Sequence, residues 1–462
     1  MSGRAGRGSS RDSTFLAALI VAAAVAELWL AWRYFGFLTG DDVEILAEAF
    51  RVATGFKYRA WDIRCLFVPD VIIAPLVWLG AKLGVRDVRT LVVLATLPSI
   101  IATAVSTLIV HALAAQWTSD RHVARAAALL FALHWLTLGF ASTVYPRTIA
   151  TACVLTALWL IGCGNGPSAG FFAGVLCAIA FADRFSEIVF LIPILIVARR
   201  RAWIVLLGFV SAVILVVGLY DYVTWGEWFG SIRKFGALTL VRSDFASRLK
   251  QQSAFWYLLN IARWLSPALL PFLWFTRRRT TAWSFVLLPL VLLSFIPHKE
   301  LRYLQGVIPF VILLAAMGFS AMSRRRFAVA LLAIGVAWNL YGLRFLARKT
   351  MPAVEAAQAL ARDPSVKTVV MSQLWAYGDR LYFTDRMEVR DVGTPPHALA
   401  ESIRDADAAC LYDTDLTPEI RRTLVDAGYR PVRTFRNALA RDIVVFRRVS
   451  RSSSGTSDRA RR

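Results

Sequence analysis

The chain has 462 residues, 57% of them hydrophobic, and 53 Lys+Arg against 31 Asp+Glu give it a formal charge of +22. An apolar excess of that size excludes an ordinary soluble enzyme and points to a polytopic membrane protein. Nucleic acid is excluded as the partner of the basic residues, because they do not gather on one soluble face. Many stand instead as triplets between apolar runs: Arg199-Arg200-Arg201, Arg277-Arg278-Arg279 and Arg324-Arg325-Arg326. The five Cys (65, 153, 163, 177 and 410) show neither CxxC nor Cys/His spacing, so neither a disulfide framework nor a metal site is expected.

Residues 1–13, "MSGRAGRGSSRDS", read as a cytoplasmic basic stub, and the apolar run at 14–34 as a retained first span, since no convincing cleavage site follows it. Further apolar runs lie at 90–115, 123–142, 146–163, 168–183, 187–198, 202–221, 261–276, 281–297, 302–322 and 327–346. Together they predict about eleven transmembrane helices, several shorter than the roughly 20 residues that cross a bilayer untilted. With the N-terminus inside, this count leaves every Arg triplet cytoplasmic, as the positive-inside rule asks. The run "PDVIIAPLVWLGAKLG" (69–84) is taken as juxtamembrane or re-entrant, because counting it as a span would move all three triplets outside.

The same parity sends the polar segments to the external face: the first loop 35–89, "STVYPRTIA" (142–150), "FADRFSE" (181–187), 222–260 and "IPHKELRY" (296–303). His298, Lys299, Glu300 and Arg302 then stand at a span boundary rather than at bilayer depth, where each charge costs about 3 kcal/mol on insertion scales. After the transmembrane domain (14–349), residues 350–449 are expected to form an external α/β domain. "AVEAAQALARD" has helical character, and "VKTVVMS", "DAACLYD" and "RDIVVFRR" have the β-branched enrichment of strands. Residues 450–462 lack apolar side chains and are expected to be disordered.

Within 37–70, Asp41, Asp42, Glu44 and Glu48 make the densest acidic cluster near the membrane. A helix over 41–52 aligns Asp41, Glu44 and Glu48 along one face. Two readings fit. Asp41 with Glu44 matches a capping box, leaving Glu48 solvated. Alternatively the carboxylates move protons beside Arg51, Arg59, Arg64 and Trp61, with guanidinium groups holding the phosphate of an anionic lipid headgroup. Lys299, Glu300 and Arg302 fit interfacial anchoring as well as a site. Arg184 and Glu187 flank the 181–187 turn and are spaced to pair with each other, and Arg147 after Pro146 poses the same choice between structure and site.

Three motifs carry a resemblance. "HKELRY" (298–303) is close to an HKE-x-R-F signature, with Tyr303 in place of Phe. "GDDVEILAE" (40–48) is similar to P-D-E-x-x-x-x-x-E, with Asp41 and Asp42 as the acidic pair, Glu48 as the later Glu, and Thr39-Gly40 where His-Pro is usual. "AWDIRCLFVP" (60–69) resembles W-E-x-R-S-x-x-x-P, with Asp62 for Glu and Cys65 for Ser. From about 35 to 310 the chain thus resembles the membrane mannosyltransferases of glycosyltransferase family 22, within the GT-C superfamily.

The resemblance implies a GT-C fold and inverting transfer, on the external or lumenal face, of a sugar from a lipid-phosphate donor to a glycan or glycolipid acceptor. The donor is typically polyprenyl-phosphate mannose, and no metal or other cofactor is required. Asp41 would be the general base, with Asp42 as runner-up. Arg64, His298, Lys299 and Arg302 would hold the donor phosphate, Glu300 would orient them, and Glu48, Asp62 and Arg184 would support the site. If the source is bacterial, the expected location is the inner membrane with a periplasmic site. Two alternatives stand beside this reading: a related transferase moving another group such as a pentose, and a transporter of lipid-linked sugars. The second is disfavoured because neither paired half-repeats nor a midplane polar site is visible.

Overall fold

The computed structural model describes residues 5–449 except 165, 239–250, 277–279, 323, 347–350, 384–385, 394–395, 397–398 and 438–440, with the backbone alone at 5–11 and 280. The second Arg triplet and the 450–462 tail lie outside the described residues. The chain divides into two compact units: Met1–Phe37 with Glu44–Leu343, and Leu38–Val43 with Arg344–Arg462.

The first unit is helical. Helix α1 (Ala5–Arg33) begins ahead of the apolar run at 14. Val21, Val25 and Trp29, spaced at i, i+4 and i+8, are 62%, 61% and 60% exposed. An apolar stripe turned outward along a long helix is a surface for lipid rather than water. Helix α2 (Gly40–Thr54) starts in the other unit, and the segment read as juxtamembrane is helical from Val68 through α3 (Ala74–Lys82).

Asp87 caps α4 (Val88–Thr118) by accepting from the Thr90 N–H, and Asp120 caps α5 (Arg121–Ala132) in the same way. Helix α6 (Trp135–Ala141) follows at a 55° bend. There His134 Nδ1 takes the Leu136 N–H at 3.2 Å, while Nε2 lies 3.0 Å from the Trp264 carbonyl. Helices α7 (Pro146–Cys163) and α8 (Pro167–Asp183) lead through α9 (Leu191–Ala198) to α10 (Ala202–Val213). Helices α8 and α10 touch backbone to backbone: a Cβ on Gly174 would run into the Val205 carbonyl, and one on Gly208 into that of Phe171. Small residues serve this purpose in lipid, where apolar burial alone does not drive helices together. Helices α11 (Thr280–Phe295), α12 (Ile308–Ala321) and α13 (Arg325–Gly342) complete the unit.

Among the described residues, five helical stretches are long and apolar enough to cross a membrane, or six if the bent α5–α6 pair counts as one span. Helices α8, α12 and the Thr281–Phe295 stretch are apolar but shorter. The expected eleven is not reached by that measure: three of the runs form these shorter helices, and two more are lost for local reasons. Phe185–Trp225 is one helical stretch of 41 residues, about 60 Å at 1.5 Å per residue and twice the hydrocarbon thickness. Arg199 (φ 49°, ψ −114°) breaks it into two apolar arms on either side of the Arg triplet. The 261–276 run is interrupted by extended backbone at Leu265 and Ser266.

The second unit carries helix α14 (Met351–Arg362) and a five-stranded sheet of order β2-β1-β3-β5-β4. The strands are β1 (Thr368–Met371), β2 (Glu388–Asp391), β3 (Ala408–Tyr412), β4 (Tyr429–Phe435) and β5 (Ile443–Arg448). Strand β1 runs parallel to β2 and β3, whereas β5 is antiparallel to β3 and β4. Central strand β3 is buried along its whole length, as parallel-sheet strands covered on both faces are. Val370, Leu411, Leu424, Tyr429 and Phe446 share the core.

Candidate active site

The acidic loop begins with a helix start. Thr39 Oγ1 accepts the Asp42 N–H at 3.4 Å. Asp42 Oδ2 in return accepts the Thr39 N–H (2.9 Å), the Leu38 N–H (2.8 Å) and the Thr39 hydroxyl (3.1 Å). The capping box is therefore built by Thr39 and Asp42, not by Asp41 and Glu44. Asp42 is fully buried, whereas Asp41, in the first turn of α2, is half-buried.

Further along α2, Glu44 pairs with Arg64 Nε at 2.6 Å. Glu48 is not a solvated helix residue: its carboxylate is 1% exposed and takes a two-point fork from Arg51, at 2.8 and 2.5 Å. Glu44, Glu48, Tyr58, Trp61, Arg64 and Asp183 line a cleft of ≈ 390 Å³, counting its solvent-open mouth. Asp62 points elsewhere, to Lys234 at 3.0 Å.

Asp70 accepts the Tyr220 hydroxyl at 2.8 Å. Burial, reinforced by the Glu48 charge, pushes its carboxyl up to about 7. The fold therefore favours the protonated form. The stabilisation this proton brings is complete below the ordinary carboxylate range and is lost as pH rises through about 7. The thermal midpoint of the detergent-solubilised protein is expected to fall between about pH 5 and pH 8. Asp70→Asn, which still accepts from Tyr220, should flatten that slope, and an undiminished slope in the variant would assign the effect to another group.

The HKELRY segment folds as a loop and a 3₁₀ turn, Leu301–Leu304, ahead of α12. Glu300 joins an imidazole and a guanidinium: His298 Nε2 lies 3.1 Å from one carboxylate oxygen, and Arg302 pairs with the other. The Arg302 guanidinium stands 5.5 Å from the Tyr145 ring centre and 5.7 Å from that of Tyr303. Lys299 turns inward. It is 4% exposed and donates to the carbonyls of Gln252 (3.1 Å) and Ile296 (2.7 Å), and burial lowers its pKa. With the Gln252 N–H bonded to the Pro297 carbonyl at 2.9 Å, Lys299 staples 251–252 to 296–299.

Arg147 and Glu187 form a pair at 2.5 Å with side chains 3% and 1% exposed, so Glu187 pairs across the fold and not merely with its neighbour Arg184. Arg147 also donates to the Tyr303 carbonyl (2.9 Å) and the Ser186 hydroxyl (2.8 Å). Arg184 itself adopts extended backbone between α8 and the Phe185–Phe190 turn. Asp183, which lines the cleft, accepts the Ala150 N–H at 3.2 Å. Residues 183–187 thus run from the cleft to Arg147, which reaches the Tyr303 carbonyl of HKELRY. The Arg147–Glu187 pair was the less visible half of this arrangement in the sequence. Its one local signal is a cation in the first turn of a helix, where the macrodipole disfavours it and a partner is needed.

Solved structures share this fold. ArnT from Cupriavidus metallidurans in the apo state matches with a TM-score of 0.63 at 13% identity, over 94% of this chain and 98% of that one. The same protein bound to undecaprenyl phosphate gives 0.62 at 12%, over 93% and 97%. The Archaeoglobus fulgidus oligosaccharyltransferase, in complex with Zn and sulfate, gives 0.51 at 12%, over 88% and 69%. No curated protein matches by sequence. A family model does, over residues 60–363, and the chain belongs to the Alg9-like mannosyltransferase family. It is an integral membrane glycosyltransferase.

Proposed function

We propose that this protein transfers a sugar, with mannose the leading candidate, from a polyprenyl-phosphate donor to a glycan or glycolipid acceptor on the external face of the membrane, with inversion at the anomeric carbon. The observation that carries this reading is the cation cluster of HKELRY, where Glu300 joins His298 and Arg302 in a chain of mannosyltransferase family. Undecaprenyl phosphate bound to ArnT supports a polyprenyl-phosphate donor for the shared fold.

In the proposed step the Asp41 carboxylate takes the proton of the acceptor hydroxyl, whose oxygen bonds to the sugar C1 from the side opposite the phosphate. The C1–O bond to phosphate breaks and its electrons leave on the polyprenyl phosphate. Arg64, His298 and Arg302 stabilise that departing charge, a task cationic side chains can perform without a metal. Lys299 enters as the residue that positions the segment, in keeping with its two carbonyl partners. In a bacterial source the site would face the periplasm.

A second reading is transfer of another lipid-phosphate sugar such as a pentose, which the shared fold accommodates equally: the likeness to ArnT extends past residue 363, where the family model ends. Turnover by purified enzyme supplied with polyprenyl-phosphate mannose, glucose and a pentose separates the readings. Preference for mannose supports the first, and turnover confined to a pentose donor replaces it with the second. Arg302→Ala is expected to raise the donor KM and lower kcat together, by about 10-fold or more in kcat/KM. Wild-type donor kinetics in that variant would remove Arg302 from phosphate binding.

A further inference from the structure

In the second unit, the chain leaves β1 for β2 on one side of it and later returns to β3 on the other. The carboxyl end of β1 is therefore the topological switch point of the sheet, the place where open α/β sheets present a crevice. The backbone that follows β1 is unusual. Gln373 (φ 56°), Gly378 (φ 77°) and Asp379 (φ 51°) all adopt the left-handed region, and two of the three are not glycine. Such conformations persist only where surrounding structure holds them, and they concentrate at functional positions.

The hold is visible. Asp391, at the end of β2, accepts the Leu374 N–H at 3.2 Å, and fully buried Tyr377 donates to the Cys410 carbonyl of β3 at 3.2 Å. Between these anchors a single 3₁₀ turn, Leu374–Tyr377, presents Trp375, which is half-buried. Its ring lies against Gly40: a Cβ built there would stand 3.8 Å from the ring atoms. Gly40 is the first residue of α2 and the neighbour of Asp41, and residues 38–43 belong to the same compact unit as the sheet.

We propose that Trp375 is a positioning residue for the transfer: pinned at the switch point of the sheet, it fixes the Gly40 backbone and thereby the direction of the Asp41 carboxylate. This rests on Asp41 being the general base. The first turn of α2 is then held from two sides, by the Thr39–Asp42 box and by the indole. A carboxylate that must meet a hydroxyl within hydrogen-bond reach loses rate steeply when displaced, and a shift of about 1 Å costs on the order of 10²-fold.

The test compares Trp375→Ala, Trp375→Leu and Trp375→Phe in the full-length detergent-solubilised enzyme, assayed at equal folded protein. Trp375→Ala and Trp375→Leu are expected to lower kcat about 10- to 100-fold with donor and acceptor KM within about two-fold of wild type, while Trp375→Phe recovers most of the rate. In an Asp41→Asn background, Trp375→Leu should change the residual rate by less than about two-fold, because the carboxylate it positions is gone. Wild-type kcat in Trp375→Leu, a rise in acceptor KM alone, or fully multiplicative effects of the two substitutions would each overturn the proposal. The two readings fail separately. An active Asp41→Asn sinks the base assignment, whereas an inactive Asp41→Asn beside a fully active Trp375→Leu sinks only the positioning role.

Discussion

Asp41→Asn is expected to lower transfer from the lipid-phosphate sugar by about 10²- to 10⁴-fold, the range a positioned general base contributes, with expression and thermal midpoint unchanged. Its neighbour provides the contrast. The Asp42 carboxylate accepts two backbone N–H groups and the Thr39 hydroxyl through a single oxygen, and the residue is fully buried. Asp42→Ala should therefore weaken the helix start by about 1–2 kcal/mol, the usual cost of losing a cap. Its transfer, corrected for the folded fraction, should stay close to wild type. The decisive measurement is single-turnover rate at saturating donor, paired with a melt of the same preparation. If Asp42→Ala loses the chemistry while Asp41→Asn keeps it, the two acidic residues exchange roles.

The distinction between these neighbours shows where sequence reading stops. The pattern GDDVEILAE exposes the acidic residues and their helical face, but which one caps the helix depends on Thr39, a residue outside that acidic spacing. HKELRY was legible as a motif because four ionisable side chains sit together beside apolar runs. The inward turn of Lys299 was not, since its acceptors include Gln252, 47 positions away, brought in by a short pairing of 251–252 with 297–298. Hydropathy finds apolar runs but is blind to the backbone breaks at Arg199 and Leu265. In the second unit, β1, β3 and β5 fall on VKTVVMS, DAACLYD and RDIVVFRR, where β-branched residues mark buried strands. Strand β4, YRPVRTF, is masked by Pro431 and its arginines, the composition that protects an edge strand.

Removing either member of the Arg147–Glu187 pair should have the largest effect on folding. Both side chains are almost wholly buried, so Arg147→Met alone leaves a carboxylate without its countercharge and Glu187→Leu alone leaves a guanidinium, each at a cost of about 3–5 kcal/mol. Each single variant is expected to lose much of its folded yield. The double variant, which replaces both charges by apolar groups, should recover most of it, because apolar replacement of a buried pair is often close to neutral. Activity is expected to separate from folding in that double variant. Arg147 also donates to the Tyr303 carbonyl, so it ties the HKELRY turn to Ser186 and through it to the 183–187 segment. Without that tie the cations around Glu300 lose one of their fixed points, and transfer per folded molecule should remain at least about 10-fold below wild type. Recovery of full turnover together with stability would reduce the pair to a packing element and leave the orientation of HKELRY to Glu300 and Lys299 alone.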